Sequence, residues 1–315
     1  MKIKKSSKFD VISIGSATVD IFVKSDAISV EKNLPYDLIY LPKSFKNEIK
    51  QSLIQSGGGA TNSSVSFSRL GLKAACCALF GVDELAAFII RDLKTDKVSN
   101  KFLVQPQNEK TDFSVILVTG DGSRTILTQR GPTRLEKHHI TWSKLNSGWF
   151  YISSLEGNLN LLETLIGYAS ENNIKIALNP GNRELNQPGL KSLLPYVDFL
   201  LLNRQEASIL TGLSPDHPDF FNQLKLVKSH IVAITNGHQG AHVFSQNQSY
   251  YSPIINTVPV DETGAGDAFG STFVSGLIKQ KNLNTCLDMA IKNSASVVSH
   301  LGAKTGLTTN SKLIR

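Results

Sequence analysis

The residues best suited to chemistry lie near the C-terminus, in the string DETGAGDAF from Asp261 to Phe269. Gly264, Ala265 and Gly266 have little side-chain bulk, so their backbone N–H groups can converge on an anion at a helix N-terminus, where the dipole favours negative charge. Asp267 follows in the first helical turn. With an unperturbed pKa of about 3.9, it is ionised at neutral pH and can accept a proton from an alcohol that attacks the neighbouring phosphate. The string therefore predicts phosphoryl transfer to a hydroxyl group.

The elements that must position this loop alternate along the chain. Short apolar runs predict buried strands, and several of them are followed by amphipathic segments of helical length. This alternation predicts a doubly wound, mostly parallel α/β sheet with helices on both faces. The predicted strands are Val11–Ile14, Ala74–Phe80, Trp149–Ile152, Ile174–Leu178, Phe199–Leu202 and Ile231–Ile234, and the predicted helices are Asn62–Leu70, Asn158–Glu171, Arg204–Thr211, Phe220–Ser229, Asp267–Lys279 and Leu283–His300.

Two segments, residues 18–55 and residues 111–129, depart from this alternation. The second contains DFSVILVTGDGSRTILTQ, which predicts two strands around an Asp-Gly turn. We expect both insertions to join in one small β lid on a single domain that spans residues 1–315. Such a lid would exclude water and so suppress the hydrolysis of a phosphate donor.

Composition narrows the class of protein. A chain of 315 residues with 41% hydrophobic residues can bury a full core, and no apolar run reaches the roughly 18 residues of a membrane span. We therefore expect a cytosolic protein with no membrane partner. Cys76, Cys77 and Cys286 predict reduced structural thiols. The net charge of +7 comes from scattered lysines and arginines, which favours a solvated basic surface over nucleic-acid binding.

A second glycine-rich string, GGGATNSSVSFSRLG, runs from Gly57 to Gly71. Its first glycines, including Gly58 and Gly59, let the backbone approach a ligand closely. Asn62, at a helix entry, can offer both a donor and an acceptor to ligand hydroxyls. Taken alone, Asn62 is equally typical of a helix N-cap.

Together, and in this order, the two strings resemble the signatures of the PfkB, or ribokinase-like, carbohydrate kinase family. The resemblance extends over nearly the whole chain and implies a ribokinase-like fold and ATP-dependent phosphorylation of a hydroxymethyl group of a small sugar. It implies that Asp267 is the catalytic base, that residues 264–266 form the anion hole, and that Gly58, Gly59 and Asn62 contact the sugar.

The nucleotide side of the resemblance rests on two further segments. LLNRQEASILTG is similar to the family's Asn-x-x-Glu element, which implies that Asn203 reaches a phosphate and that Glu206 holds a water-coordinated magnesium. A capped helix start explains the same residues. AITNGHQGAHVF is similar to the segment that borders the nucleotide, with Thr235, Gly237 and Gly240 at the matching positions.

The acceptor side rests on two acidic residues. ISIGSATVD places Asp20, and ISSLEGN places Glu156, where family members bind sugar hydroxyls. Asp261 and the chain near residues 297–302 resemble the site that holds potassium in ribokinase-type members. Pairing of two lids is common in this family, so the resemblance also implies a homodimer through the lid.

Other classes of function stay open. Position 18 is Thr where ribokinases carry Asn, and position 59 is Gly where they often carry Lys, so the acceptor need not be ribose. A nucleoside kinase of the same fold would use the same base, and a non-catalytic sugar or nucleotide sensor could share the fold. A Walker-type nucleotidase is disfavoured because GxxxxGK[ST] is absent from the sequence. The position and spacing of the glycine loop likewise disfavour a Rossmann dehydrogenase.

Overall fold

The computed structural model describes residues 8–32, 37–120, 123–132, 134–245 and 248–309. The predicted Asp-Gly turn at residues 121–122 lies outside these ranges. The strands within them are β1 (Phe9–Ile14), β2 (Thr18–Lys24), β3 (Ser29–Glu31), β4 (Leu38–Tyr40), β5 (Gln51–Gly57), β6 (Ala74–Leu79), β7 (Ser99–Val104), β8 (Phe113–Val118), β9 (Arg124–Gln129), β10 (Ser147–Ile152), β11 (Lys175–Leu178), β12 (Phe199–Asn203), β13 (Ile231–Thr235), β14 (Ala241–Ser245) and β15 (Gln248–Ser252).

The helices alternate with these strands, as the sequence predicts. They are α1 (Gly59–Arg69), α2 (Ala86–Thr95), α3 (Leu159–Asn172), α4 (Asn182–Leu185), α5 (Leu190–Leu193), α6 (Arg204–Thr211), α7 (Phe220–Lys225), α8 (Ala265–Ile278) and α9 (Leu283–Val298). No helix within the described ranges combines the length and the apolar character that crossing a membrane requires.

A nine-stranded sheet organises the molecule, in the order β15-β14-β13-β12-β11-β10-β1-β6-β7. All neighbouring pairs from β13 to β7 are parallel, and β14 and β15 add antiparallel strands at one edge. The chain builds outward from β1 to β7 on one side and from β10 to β13 on the other. The crevice at the carboxyl ends of β1 and β10 is therefore the topological switch point, where open α/β sheets bind ligands.

Both faces of this sheet are buried, which explains the nearly continuous apolar strand sequences. Alternate residues such as Ile12 and Leu200 pack against α3, α6 and α7 on one face. Their neighbours Val11 and Leu201 pack against α1, α8 and α9 on the other face. The predicted doubly wound architecture is confirmed.

The two insertions that interrupt the strand–helix alternation, residues 18–55 and 111–129, join in a separate four-stranded sheet. Its strand order is β5-β2-β8-β9. On its inner face, Phe22, Ile116 and Val118 pack against Leu301 of the main domain. The segment between β2 and β5 also contains β3 and β4, which pair only with each other within the described residues. The union of both insertions in one small sheet agrees with the predicted lid architecture.

Helix ends depart most from the sequence prediction. The helices predicted from Asn62 and from Asp267 begin earlier, at Gly59 and Ala265, because glycines rather than polar caps precede them. Helix α2 was not predicted. Its N-cap, Leu85, offers no side-chain cap, and the local signal for its start is Asp83, whose Oδ1 accepts a hydrogen bond from Ala86 N at 3.3 Å.

Candidate functional site

The N-terminus of α8 carries unsatisfied amide groups. Gly264 precedes the helix in the left-handed region (φ 81°), and no side chain caps the helix. Ala265 N donates to Glu262 O at a long 3.3 Å, while the N–H groups of Gly264, Gly266 and Asp267 have no acceptor among the described residues. A Cβ added at Gly266 would meet nothing within 4 Å. This helix end thus presents free donors to open space, as an anion site requires.

Asp267 lies in the first turn of α8 and remains partly exposed. Asn62 Nδ2 donates to its Oδ2 at 2.8 Å, and Oδ1 accepts no hydrogen bond from any described residue. Desolvation raises the pKa of Asp267 to about 6, although the Asn62 hydrogen bond and the positive charge of Lys304 oppose this shift. The expectation of an unperturbed pKa needs correction, because only the tertiary structure desolvates this carboxyl group. The carboxylate is still mostly ionised at pH 7, and a pKa near the working pH suits a general base.

Asp20 is buried close to Asp267. Thr18 Oγ1 donates to its Oδ1 at 3.1 Å, and burial raises the pKa of Asp20 while Lys304 opposes the shift. Any side chain at Gly57 would overlap the Asp20 carboxylate. Gly57 therefore provides the space that lets Asp20 sit beside the start of α1.

Gly58 and Gly59 bring the start of α1 against the loop that follows β1. Gly58 has φ 88°, and a Cβ there would lie 2.5 Å from the carbonyl oxygen of Ser16. A Cβ at Gly59 would lie 2.5 Å from Cβ of Ser153 and 3.6 Å from Asp267 Oδ1. Small residues are thus needed here, and the structure brings Gly58, Gly59 and Asn62 together with Asp267 at the switch point.

Lys304 belongs to the same cluster, and sequence reasoning missed it. Its side chain is buried, and Nζ donates to Asn62 Oδ1 at 2.5 Å, to Thr61 Oγ1 at 3.0 Å and to Ser56 O. Burial lowers the pKa of Lys304 to about 8, against the pull of Asp20, Asp92 and Asp267. A single lysine in a C-terminal loop has no periodicity or motif that would have marked it.

Asp261 fixes the loop before α8. Its Oδ1 accepts from Thr263 N at 2.9 Å and from Thr263 Oγ1 at 2.7 Å, and its Oδ2 accepts from Gly302 N at 2.9 Å. The side chain is fully buried. These bonds give Asp261 a structural role in holding two loops together, and a lone pair on Oδ2 remains for a cation.

Asn203 and Glu206 cap α6 reciprocally. Asn203 Oδ1 accepts from Glu206 N, and Glu206 Oε2 accepts from Asn203 N, each at 2.8 Å. This is the capped helix start that the sequence also allowed. Burial, and secondarily the negative charge of Asp267, raises the pKa of Glu206. The repulsion indicates that the Glu206 carboxylate lies near Asp267.

Thr235 ends β13 and pairs in register with Asn203 at the end of β12. Both residues therefore lie at the carboxyl edge of the sheet, on the same edge as Asp267. Gly237 begins a short turn with open space around it. Gly240 has a packing reason for being glycine, because a side chain there would overlap the carbonyl of Ser252.

Among the predicted acceptor-binding residues of the described ranges, Glu156 is the one that the structure does not bring into contact with this cluster. It lies in a turn after β10 with φ 59°, and its Oε2 is 3.7 Å from Nε of Arg134. The buried acid that binds this turn is Glu184 of α4, whose Oε1 accepts from Leu155 N and Gly157 N. A role for Glu156 in acceptor binding stays a prediction.

Comparisons with known proteins agree with this architecture. The fold is that of the ribokinase-like kinases. A solved structure of Arabidopsis thaliana ribokinase complexed with ribose and ATP superposes with a TM-score of 0.79 at 20% identity, covering 97% of each chain. The adenosine kinase of Sinorhizobium meliloti gives a TM-score of 0.80 at 21% identity, covering 98% of this chain and 100% of that one.

The sequence comparisons then identify the family. The pfkB family of carbohydrate kinases matches residues 9–310, so this chain belongs to that family. A ribokinase of Staphylococcus aureus (strain COL) is 25% identical over 306 residues, which cover 94% of this chain and 96% of the relative. The predicted family is confirmed, and the protein is an ATP-dependent carbohydrate kinase of ribokinase type.

Proposed function

We propose that this protein transfers the γ-phosphoryl group of ATP to a hydroxymethyl group of a small sugar, with Asp267 as the base. The observation that carries the proposal is that the Asp267 carboxylate and the free N–H groups of Gly264, Gly266 and Asp267 lie together at the N-terminus of α8. A phosphoryl acceptor and its base must lie within hydrogen-bond reach of each other. An alcohol held between Asp267 Oδ1 and Gly59 would meet this need.

The acceptor would lie in the crevice lined by Asp20, Gly58, Gly59 and Asn62. The buried Asp20 carboxylate suits hydroxyl donors, because each of its oxygens accepts more than one hydrogen bond. The family resemblance favours a sugar over a nucleoside as the acceptor, but the fold is shared with both a ribokinase and an adenosine kinase. The nucleoside kinase therefore remains the second candidate.

ATP would lie along the carboxyl edge of β12 and β13, beside Asn203 and Thr235, with its γ-phosphate over residues 264–266. The amides at the α8 N-terminus would then neutralise the charge that develops on the transferred and leaving oxygens. Glu206 would hold magnesium through water. Its carboxylate suits a hard cation, and the absence of a larger acidic cluster among the described residues fits an ion held mainly by phosphates and water.

Asp261 would be the one side-chain ligand of a monovalent cation such as potassium. The remaining lone pair of Oδ2 fits that role. The hydrogen bond that Oδ2 accepts from Gly302 N already links the loop near residues 297–302 to the anion loop, residues 261–266. A bound cation would add positive charge beside the phosphate-binding amides.

The small sheet would act as a lid over this crevice. Its strand β2 carries Asp20, and its inner face rests on Leu301, close to the loop that holds Asp261. Its outer face exposes Ile54 and Leu127, with Leu127 at 57% relative exposure, and Ile126 is exposed on the inner side of strand β9 at the edge of the sheet. These apolar side chains support pairing of two lids in a homodimer, which sedimentation of the purified protein would test.

The function is tested by replacing the base. We expect Asp267→Asn to retain ATP binding and to lower kcat by about 10²- to 10⁴-fold, the usual contribution of a general base. Asp288→Asn is the matched control, because Asp288 is exposed on α9 and contacts the Ser252 hydroxyl. Wild-type turnover by the Asp267→Asn variant would refute the mechanism.

An acceptor panel separates the candidate functions. ADP release with free sugars but not with nucleosides supports the sugar kinase, and the reverse result supports the nucleoside kinase. Binding of ATP and sugar without turnover of any acceptor would indicate a sensor.

A further inference from the structure

Lys304 is a buried cation whose hydrogen bonds all go to the protein. An ammonium group has three protons, and Nζ directs them to Ser56 O, Thr61 Oγ1 and Asn62 Oδ1. With 4% of its surface exposed, the side chain has no donor left for a phosphate or a sugar hydroxyl. Any effect of Lys304 on the reaction must therefore pass through the groups that it contacts.

The contact with Asn62 determines how that amide is oriented. Because an ammonium group only donates, the atom facing Lys304 must be the amide oxygen, Oδ1. The amide nitrogen is then turned toward Asp267, where Nδ2 donates to Oδ2 at 2.8 Å. This bond occupies one oxygen of the base and leaves Oδ1, on the Gly59 side, for the acceptor.

The loop that carries Lys304 is itself held firmly. Arg69 Nη1 donates to Lys304 O at 2.6 Å, while Nε and Nη2 of Arg69 bind Asp96 at 2.6 and 3.0 Å. Gly302, two residues earlier, donates to Asp261 at 2.9 Å. The backbone of Lys304 is thus fixed to α1 on one side and to the anion loop on the other.

The charge of Lys304 also acts on the acids around it. Asp20, Asp92 and Asp267 face the ammonium group, as does the Cys76 thiol, and the pKa of Lys304 is about 8, so it is mostly charged at pH 7. Asp267 is further influenced by Asp20, and its own charge acts on Glu206 and Tyr151. Arg130 adds a second positive influence on Asp20. The charge of Lys304 lets two neighbouring carboxylates stay ionised together.

We propose that Lys304 is a positioning residue for phosphoryl transfer, which acts through the Asn62 amide to hold Asp267 with Oδ1 toward the acceptor hydroxyl. The inference rests on the proposed role of Asp267 and adds a residue that touches neither substrate. It predicts that loss of Lys304 impairs the chemical step rather than ATP binding.

The test compares Lys304→Met with the wild type across pH. We expect kcat to fall about 10- to 100-fold, as for loss of a charged hydrogen bond, with the ATP dissociation constant within about twofold. The acid limb of the kcat/KM profile should move upward from about pH 6, because the lost positive charge no longer favours the Asp267 carboxylate. An alkaline limb near pH 8 in the wild type should disappear.

Coupling to Asn62 distinguishes positioning from a general structural effect. If Lys304 acts through Asn62, the double variant Lys304→Met/Asn62→Ala should be little worse than Asn62→Ala alone. Lys279→Met is the matched control. Lys279 is also partly buried and donates to a backbone carbonyl, that of Leu70, but it lies at the opposite end of α8.

A further variant covers a failure of Lys304→Met to fold. Lys304→Gln keeps hydrogen-bond donors but removes the charge, so its acid limb should still move upward while the fall in kcat is smaller. An unchanged acid limb with wild-type kcat in either folded variant, or additive effects with Asn62→Ala, would overturn the inference. Should Asp267→Asn retain full turnover instead, the proposed function fails, and the two failures are thereby distinguished.

Discussion

Two glycines in the anion loop should respond to the same substitution in opposite ways. Gly264 has φ 81°, and a Cβ there would lie 2.6 Å from Cβ and 2.7 Å from Cα of Ala303. An alanine costs about 1–2 kcal/mol for the left-handed backbone and about 1–3 kcal/mol for overpacking. Gly264→Ala should therefore lower the free energy of unfolding by about 2–5 kcal/mol. For a chain of 315 residues, that corresponds to a fall in Tm of roughly 3–8 °C.

Gly266 provides the matched control for folding. It lies inside the first turn of α8, and a Cβ there would meet no atom within 4 Å. Alanine is the better helix former by up to about 1 kcal/mol, so Gly266→Ala should fold at least as stably as the wild type. The added methyl group would instead enter the space assigned to the γ-phosphate. We expect kcat/KM for ATP to fall at least tenfold without loss of stability.

Thermal unfolding followed by circular dichroism and a coupled ADP-release assay measure the two effects separately. If Gly264→Ala unfolds at the wild-type Tm, the close approach of Gly264 to Ala303 is not a constraint on this loop. If Gly266→Ala keeps the wild-type kcat/KM, the transferred phosphate does not lie beside Gly266. Either result would refute the corresponding step of the reasoning.

Four other outcomes are expected from the structure. The kcat/KM of the wild type should fall about tenfold per pH unit below about pH 6, because protonation removes the Asp267 base. The Asp267→Asn variant should lose this acid limb. A flat wild-type profile down to pH 5 would contradict the raised pKa of Asp267. The folded Asp267 carboxyl also binds its proton more tightly than the unfolded one, so the contribution of Asp267 to stability should decline as pH rises from about 4 to 6. Chemical denaturation should show this as a change over that range in the difference in free energy of unfolding between the wild type and Asp267→Asn, and a constant difference would contradict the raised pKa. Gly57→Ala should displace the Asp20 carboxylate and raise KM for the acceptor more than KM for ATP, and equal changes in both constants would count against acceptor binding by Asp20. The thiols of Cys76 and Cys286 are buried with pKa values raised to about 12, so a thiol reagent should label them only on unfolding, and rapid labelling of the native protein would contradict their burial.

The sequence by itself determined the family and the architecture. The string from Asp261 to Phe269 combines small residues, a helix start and a carboxylate within nine positions, so local spacing was enough to indicate its chemistry. The alternation of apolar strands with amphipathic helices predicted the doubly wound sheet, because the spacing of apolar residues within each element shows which of its faces is buried. The β strands from both insertions were predicted for the same reason.

Only the tertiary structure decided which residues of the site contact one another. Asn62 and Asp267 are 205 positions apart, and Asn62 and Lys304 are 242 apart, so no local pattern connects them. The raised pKa of Asp267 comes from desolvation by elements that meet only in the folded chain. The capping hydrogen bonds of Glu206 and the hydrogen bonds by which Asp261 fixes two loops were also decided by the tertiary structure. The residue type alone does not reveal whether a carboxylate binds a backbone amide, a cation or water.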